Sequence, residues 1–198
     1  MKKSLITIIV IAVVALGLIS WATGAYNSMV EVQEKATTAL ANVQSTYQRR
    51  ADLIPNLVET VKGYAAHEKE TLDGVVNARA KATSINLEAG ELTPEKLQEF
   101  QAAQSELSSA LGRLIAVGEA YPDLKANENF RDLQVQLEGT ENRINEARNK
   151  YNAAVQEYNV TIRRFPKNIF AGIFGFDKMA KFEAEAGAEK APKVDFGV

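Results

Sequence analysis

The sequence predicts an all-α protein in which a long antiparallel bundle of three helices follows one N-terminal transmembrane helix. Three observations predict this fold class. An uninterrupted apolar run opens the chain, and apolar side chains then recur at alternating steps of four and three over residues 26–82 and again over residues 130–165. Side chains at these steps share one face of a helix, and such a face is buried only against partner helices.

Composition sets the broad class of the protein. The chain has 198 residues, 46% of them hydrophobic and 24% charged, which is ordinary for one globular domain plus a short extra segment. A formal net charge of −2 and a pI near 5.6 provide no basic field, which argues against nucleic-acid binding through phosphate neutralisation. Cysteine is absent, so disulfides, thiolate catalysis and a lipid-accepting cysteine are excluded for this sequence.

The apolar run is the first element. Residues 5–19 contain only Thr7 and Gly17 besides aliphatic side chains, and extension to Ala25 gives a segment of roughly 31 Å as a helix. This length matches the hydrocarbon core of a bilayer. We therefore predict a transmembrane helix over residues 5–25. A signal peptide cleaved near the small residues 22–25 is the alternative.

The charges that flank this run predict its orientation. Lys2 and Lys3 precede it, whereas Glu31, Glu34 and Lys35 follow it. The positive-inside rule places residues 1–4 in the cytoplasm as a short N-terminus and the bundle on the other side of the membrane.

The bundle, residues 26–165, begins with a helix that carries two adjacent rows of apolar or small side chains. The main row contains Tyr26, Val30, Thr37, Leu40, Tyr47, Ala51, Ile54, Val58, Val61 and Ala65. The second row repeats every seven residues as Met29, Ala36, Val43, Leu57 and Tyr64, with Arg50 as its polar member. Two such rows form one wide stripe along a helix.

Pro55 interrupts neither row, so we interpret it as a kink within one helix that runs to about Thr83. This interpretation gives three long helices and leaves the C-terminal tail far from the bilayer. A true turn at Pro55 is the alternative, and it would give four helices and return the tail to the lipid.

Helix-start signals define the second and third helices. Residues 86–93 form a loop whose last residue, Thr93, is the predicted N-cap of the second helix, with Pro94 as the first helical residue. Gly118 and Pro122 bracket the end of that helix. The third helix starts between Pro122 and Glu128 and ends near Arg164. Its seam, which should pack on the first helix, contains Phe130, Leu137, Ile144, Tyr151, Tyr158 and Phe165.

The segment 166–182 is apolar and aromatic, and residues 183–198 are predicted to be disordered. The candidate apolar flap consists of Ile169, Phe170, Ile173, Phe174 and Phe176. One interpretation folds this flap over an end of the bundle. The other makes it a membrane-facing or partner-facing surface, flanked by Arg163, Arg164 and Lys167.

No catalytic, cofactor-binding or metal site is predicted. His67 is the only histidine, so neither a zincin motif nor a di-iron bundle is possible, and no phosphate-binding loop or nucleophile elbow is present. Two polar clusters stand out instead. The first contains Arg49, Arg50, Asp52 and Asn56, and the second contains Glu141, Asn142, Arg148, Tyr151 and Asn152.

We interpret these clusters as interhelical ion pairs and hydrogen bonds that fix the register of the bundle; a docking surface for another protein is the alternative. Specifically, we expect Arg50 or Asp52 to meet a charged residue of the third helix, with Arg148 as the partner tested for Asp52. We also expect Asn56 to bond the carbonyl group that Pro55 leaves free.

Several of these segments resemble the LemA family. They are RRADLIPNLV at residues 49–58, VKGYAAHE at residues 61–68, YPDLKANENF at residues 121–130, and the later Tyr-Asn pairs at residues 151–152 and 158–159. The resemblance covers residues 26–182. It implies a bacterial single-pass membrane protein with a soluble antiparallel helical bundle. With the orientation predicted from the flanking charges, we expect the protein in the plasma (inner) membrane with the bundle on the extracytoplasmic side. The resemblance also implies an association with a membrane metalloprotease of the HtpX type, whose genes often neighbour those of the family, and relatives occur in magnetosome formation.

These observations lead to three functional hypotheses. The first is a non-enzymatic scaffold that assembles laterally as a homo-oligomer or binds another membrane protein. The second is a membrane-shaping or lipid-binding element. An enzyme is the least supported of the three.

Overall fold

A computed structural model describes residues 2–87 and 92–183, without the side chains of residues 2–4. The helices in this part of the chain are α1 (Lys2–Lys62), α2 (Lys69–Ser84), α3 (Pro94–Ala120), α4 (Pro122–Lys125), α5 (Glu128–Arg163) and α6 (Lys167–Phe174). The described residues contain no strand, and the predicted all-α fold is confirmed. The predicted disorder after residue 183 concerns residues outside this description.

The first helix is longer than the bundle that it supports. Its 61 residues extend over roughly 92 Å, and it is the one described helix that is long and apolar enough to cross a membrane. Side chains of its apolar run, such as Ile11 and Leu16, are exposed along the whole run, and Ala25 is the first buried residue among the side chains described from Leu5 onward. The bundle therefore begins where the apolar run ends.

Pro55 lies inside α1, as predicted, because the helix continues for seven further residues to Lys62. Proline has no N–H, so the carbonyl group of Ala51 loses its partner within the helix. The Nε of Arg79 in α2 donates to that carbonyl at 2.8 Å. The prediction that Asn56 fills this role is wrong; its side chain is exposed.

The predicted end of the first helix near Thr83 is also wrong. The chain turns at residues 63–68 and returns along α1 as α2, so the bundle has four long helices instead of three. Gly63 opens the turn, and both Ala65 in the turn and Leu72 in α2 are buried in the same core as α1. The apolar spacing continued across the turn because both segments bury against one core, so spacing alone did not reveal the reversal.

The fifth helix packs antiparallel along α1, as the seams predicted up to Tyr158; the last predicted seam residue, Phe165, lies beyond α5 and is exposed. Near the turn of the bundle, Leu137 shares a core cluster with Ile54, whereas Tyr158 and Met29 are clustered near the apolar run. The seven-residue row of α1 is the most deeply buried one. Its members Met29, Ala36, Val43, Arg50 and Leu57 are each at most 1% exposed.

This extra helix changes where the chain ends. Because α1 and α3 run away from the apolar run while α2 and α5 return toward it, α6 and the residues after it lie at the base of the bundle. The tail is therefore close to the apolar run, and its predicted distant position is wrong.

Candidate functional site

A buried arginine joins the helices at mid-height of the bundle. Arg50 of α1 is 1% exposed. Its guanidinium donates to the Ser108 hydroxyl at 2.9 Å and to the side-chain carbonyl of Gln104, both in α3, and to the Glu141 carboxylate in α5. Gln104 in turn donates to the carbonyl of Ala82 at 3.2 Å, at the end of α2. This polar node therefore links all four long helices.

The two charged partners of this node differ in their burial. The side chain of Glu141 is 44% exposed, whereas that of Arg50 is 2% exposed. The Nε of Arg50 has no hydrogen-bond partner, and the guanidinium lies 5.3 Å from the centre of the Tyr47 ring. A buried charge of this kind is costly unless its partners are in place, so it selects one register of the helices.

A polar cavity of about 640 Å³ opens beside the node, between α3 and α5. Carboxamides, hydroxyls, guanidinium groups and one carboxylate line most of it. They belong to Arg50, Gln101, Gln104, Ser105, Ser108, Glu141, Asn145, Arg148, Asn149 and Asn152. Its lower rim is formed by Phe182 and Glu183 from the C-terminal segment of the chain.

That segment, residues 177–183, runs back along α5 in the opposite direction, and we call it the strap. Two asparagines of α5 hold its main chain. Asn159 donates to the carbonyl of Met179 at 2.9 Å and accepts from the N–H of Met179 at 3.0 Å. Asn152 does the same to Phe182, at 2.8 and 2.9 Å. Each asparagine thus satisfies both main-chain polar groups of one strap residue.

Two tyrosines alternate with these asparagines. Tyr158 donates to the carbonyl of Asp177 at 2.8 Å, and Tyr151 donates to the carbonyl of Ala180 at 2.9 Å. Burial raises the pKa of Tyr151 to about 12. Burial, and secondarily the carboxylate of Asp177, raises the pKa of Tyr158. Both hydroxyls therefore stay protonated and act as donors. We call these four side chains the Tyr–Asn ladder.

The far end of the strap is held by both neighbouring helices. Arg148 of α5 and Gln101 of α3 each donate to the carbonyl of Glu183 at 3.0 Å. The Phe182 ring packs edge-on against Tyr151 with ring centres 5.4 Å apart, and Arg148 lies 5.1 Å from its centre. The strap therefore closes the seam between α3 and α5 below the cavity.

The helix before the strap lies against the end of the apolar run. Phe170 contacts Trp21 with ring centres 5.2 Å apart, and Phe174 contacts Tyr26 at 5.1 Å. The other face of α6 is open, because Ile173 is 70% exposed and Ile169 is 53% exposed. Among the predicted flap residues, Phe176 is buried, Phe170 is half-buried and the others are exposed.

The structure divides the two predicted polar clusters. Arg50 and Glu141 meet at the node, whereas Arg148, Tyr151 and Asn152 contact the strap. The remaining members, Arg49, Asp52, Asn56 and Asn142, are exposed and outside both sites. Asp52 accepts a hydrogen bond from Gln48 of its own helix and not from Arg148.

Sequence reasoning missed several residues of these sites. They are Arg79, Gln101, Gln104, Ser108, Tyr158 and Asn159. One signal was present, because the pair at residues 158–159 repeats the Tyr-Asn pair at 151–152 after seven residues. Gln104 also interrupts an otherwise apolar helix face, which marks a polar contact across the core.

The only histidine is not part of either site. His67 is exposed and lies beside the Tyr121 hydroxyl, which also donates to Glu68 at 3.0 Å. Within residues 2–87 and 92–183, no three His, Asp or Glu side chains are grouped so that they could hold a metal ion.

The fold and the strap define the class of this protein: a four-helix bundle, extended from one long apolar helix and closed by its own C-terminal segment. The chain belongs to the LemA family, whose sequence pattern matches residues 39–196.

Curated relatives carry two kinds of name. Magnetosome protein MamQ 1 of Paramagnetospirillum magneticum is 28% identical over 185 residues, which cover 83% of this chain and 66% of the relative. MamQ of Magnetospirillum gryphiswaldense is also 28% identical, with 82% and 66% covered. Protein LemA of Metamycoplasma hominis is 26% identical over 121 residues, with 61% and 52% covered. The chain thus spans just under two thirds of the length of the MamQ proteins.

Proposed function

We propose that this protein is a non-enzymatic scaffold, anchored in the bacterial plasma membrane by residues 5–25, whose bundle projects from the membrane and binds other proteins. The observation that carries this proposal is the position of α6. One face of α6 packs on Trp21 and Tyr26, so its opposite face, which is apolar and open, lies at the end of the apolar run where a bilayer surface would be. A helix with one apolar face at that level fits a membrane interface.

The exposed side chains of α6, and that of Phe165 just before it, support a lipid contact. Phe165 is 81% exposed and Phe174 is 52% exposed, in addition to Ile169 and Ile173. Burying one such side chain contributes about 1.5–3 kcal/mol. Leaving four of them in water at one end of a soluble domain would be costly, whereas at a bilayer surface the same groups stabilise attachment.

The charges around α6 agree with this position. Arg163 and Arg164 are exposed at the end of α5, and Lys167 donates to the Ser28 hydroxyl at 2.8 Å. Each basic side chain close to an anionic membrane surface contributes about 1 kcal/mol. With Lys2 and Lys3 in the cytoplasm, the bundle is extracytoplasmic in this proposal.

The relatives favour a structural role over catalysis. Their names describe magnetosome and LemA proteins and specify no reaction. The partners that we propose are further copies of this chain or another membrane protein, with the HtpX-type metalloprotease suggested by the resemblance. Long helices anchored in one plane favour lateral assembly, because the membrane already restricts their orientation.

The position of α6 is tested with single cysteines, because the sequence contains none. Ile173→Cys and Val160→Cys in the full chain are treated with a membrane-impermeant maleimide in native membranes. We expect Cys at 173 to react slowly until detergent is added, and Cys at 160, which is on the exposed side of α5, to react at once. Equal reaction rates at both positions in membranes would contradict the proposed position of α6 at the bilayer surface.

Anchoring and partner binding need separate measurements. N-terminal sequencing of the membrane-extracted protein should find the apolar run retained; a mature chain that starts near Ala25 would refute the anchor. Cross-linking in native membranes with mass spectrometry should identify further copies or a membrane protein. An isolated monomer without any partner would argue against a scaffold.

The same α6 face favours a second candidate, a membrane-shaping element. A wedge of apolar side chains inserted on one side of a bilayer expands that leaflet and favours curvature. The full chain reconstituted into anionic vesicles should then reduce vesicle diameter in electron micrographs. The variant with Ile169→Ser and Ile173→Ser should leave the diameter unchanged. Identical diameters for both proteins would dismiss this candidate.

A further inference from the structure

We propose that neighbouring copies exchange their C-terminal arms, defined as residues 167–183, so that the strap of one copy lies in the Tyr–Asn ladder of the next. This inference rests on the proposed membrane anchoring and names the contact that would produce lateral assembly. The exchanged unit consists of α6 and the strap, and the hinge is the segment 164–166 between α5 and α6.

The ladder recognises polypeptide main chain. Both groups of Met179 and both groups of Phe182 are bonded to asparagine side chains, and the carbonyls of Asp177, Ala180 and Glu183 accept from tyrosine, arginine and glutamine. A groove that binds main-chain N–H and carbonyl groups can accept an extended segment from its own chain or from another copy.

The spacing of the ladder matches an extended segment. The two asparagines are seven residues apart in α5, which is a rise of about 10.5 Å. The residues that they hold, Met179 and Phe182, are three apart, and three extended residues cover roughly 10 Å. The two periods agree, so this groove holds a straight segment in one register.

The side chains of the strap determine which segment fits. Phe182 is buried against Tyr151 and Phe100. Met179 packs between two core clusters, one that contains Tyr151 and one that contains Tyr158. The groove thus selects an extended segment with apolar side chains at every third position. A second copy of this chain is the partner that carries such a segment.

The hinge permits the exchange. Phe165 at its centre is 81% exposed, so opening of the hinge does not remove a core side chain. The contacts of α6 with Trp21, Tyr26 and Ser28 join it to α1 and can be made equally well to α1 of a neighbour. Exchange of an identical element preserves every contact of the closed form, which makes it a low-cost route to association.

Anchoring in one membrane places the arm of one copy and the ladder of its neighbour at the same distance from the bilayer. In each copy the apolar run fixes the distance of Trp21 from the bilayer, and the ladder follows at a set height along the same rigid α1–α5 pair. The arm of one copy therefore meets the ladder of the next without a vertical shift. Exchange along a row of copies extends the assembly, whereas reciprocal exchange closes a dimer.

The test uses two exposed positions whose side chains touch, one in the strap and one in α5. Lys181 Nζ and Gln156 Oε1 are 3.3 Å apart. Full chains with Gln156→Cys and, under a second affinity tag, Lys181→Cys are produced together and treated in membranes with a short bis-maleimide. We expect a covalent species that carries both tags. The chain with both cysteines reports the closed form by an internal link.

A matched control measures chance collisions. Lys150→Cys replaces an exposed residue on another face of α5, where it pairs with Glu146. Mixed linking of position 181 with position 156 should exceed linking with position 150 several-fold. It should also fall when the copy with Gln156→Cys additionally carries Asn152→Leu and Asn159→Leu.

The outcomes separate this inference from the proposed function. Internal links together with mixed links no stronger than those of the Lys150 control would overturn arm exchange, and the anchored scaffold would stand if the protein remains in the membrane fraction. Recovery of the intact protein from the soluble fraction would instead refute the scaffold proposal on which the exchange rests.

Discussion

Arg79 donates a hydrogen bond from its Nε to the main-chain carbonyl of Ala51 at 2.8 Å, across the interface between α2 and α1. The carbonyl is free because the residue four positions later is Pro55. A guanidinium from a neighbouring helix thus supplies the donor that the proline removes. This contact lets α1 stay continuous at Pro55 and ties the returning helix to that position.

Arg79→Met should therefore destabilise the bundle, and Pro55→Ala should reduce the effect. Loss of the donor leaves the Ala51 carbonyl without a partner, at a cost of about 1–3 kcal/mol. With Ala at position 55, the helix itself provides an N–H for that carbonyl, so the same Arg79→Met change should cost clearly less. Urea unfolding of the four proteins in a double-mutant cycle measures this coupling. Strictly additive effects would show that the two residues do not cooperate.

The turn after α1 explains how far sequence patterns reach in this chain. The heptad row was read correctly from Met29 to Leu57, because burial against α5 imposes a strict period on α1. Its last predicted member, Tyr64, lies in the turn after α1 and is exposed. The reversal at residues 63–68 was missed because Ala65 and Leu72 face the same core on both sides of it. Spacing reports which side chains are buried, not whether the chain has changed direction between them.

Gly118→Ala should destabilise the protein by about 1–3 kcal/mol, because a Cβ at this position overlaps the ring of Phe130. Phe130 is fully buried at the start of α5, so its ring cannot move out into solvent without losing its packing. Gly112→Ala in the same helix is the control. Nothing lies within 4 Å of a Cβ there, so it should stabilise by up to about 1 kcal/mol. Thermal unfolding compares the two; equal shifts would contradict the tight contact.

Glu141→Gln should destabilise the bundle by about 1–3 kcal/mol, since it leaves the buried Arg50 guanidinium without its negative partner. The half-exposed position of Glu141 keeps the loss below that of a fully buried pair. Asp52→Asn is the matched control. Asp52 is exposed and accepts a hydrogen bond from Gln48 of its own helix, so a change within about 0.5 kcal/mol is expected. Chemical denaturation of both variants should separate them, and similar midpoints would mean that the node contributes little.

The node could be predicted from the sequence to a greater extent than the ladder. Arg50 was recognisable as the one polar member of an apolar row, and Glu141 as a charge near the facing seam. The partners Gln104 and Ser108 depend on how α3 is rotated against α1, which local spacing does not determine. Asn152 and Asn159 bind main chain, so the sequence of the strap contains no complementary charge that could have identified the contact.

Stability should fall when the pH rises from about 10 to about 12. The unfolded chain releases the tyrosine proton near pH 10, whereas burial raises the pKa of Tyr151 in the folded chain to about 12. Between these values the folded state binds more protons than the unfolded state, so each increase in pH favours unfolding. Thermal unfolding at stepped pH should show a smaller decrease in melting temperature for Tyr151→Phe, because this variant lacks the phenol that titrates. A residual decrease is expected, because the lysines still titrate in this range. An unchanged slope in the variant would exclude Tyr151 as a source.

Asn152→Leu together with Asn159→Leu should release the strap while the four long helices remain folded. Four hydrogen bonds to Met179 and Phe182 are lost, each with a net contribution of about 1 kcal/mol. Hydrogen exchange of the full chain should then accelerate at the amides of residues 179 and 182 and stay slow at buried amides of α5. Asn145→Leu is the control, because this residue continues the same seven-residue row and makes none of the strap bonds. If Asn145→Leu releases the strap equally, or the double variant leaves it protected, the aromatic packing of Phe182 holds the strap and the ladder does not.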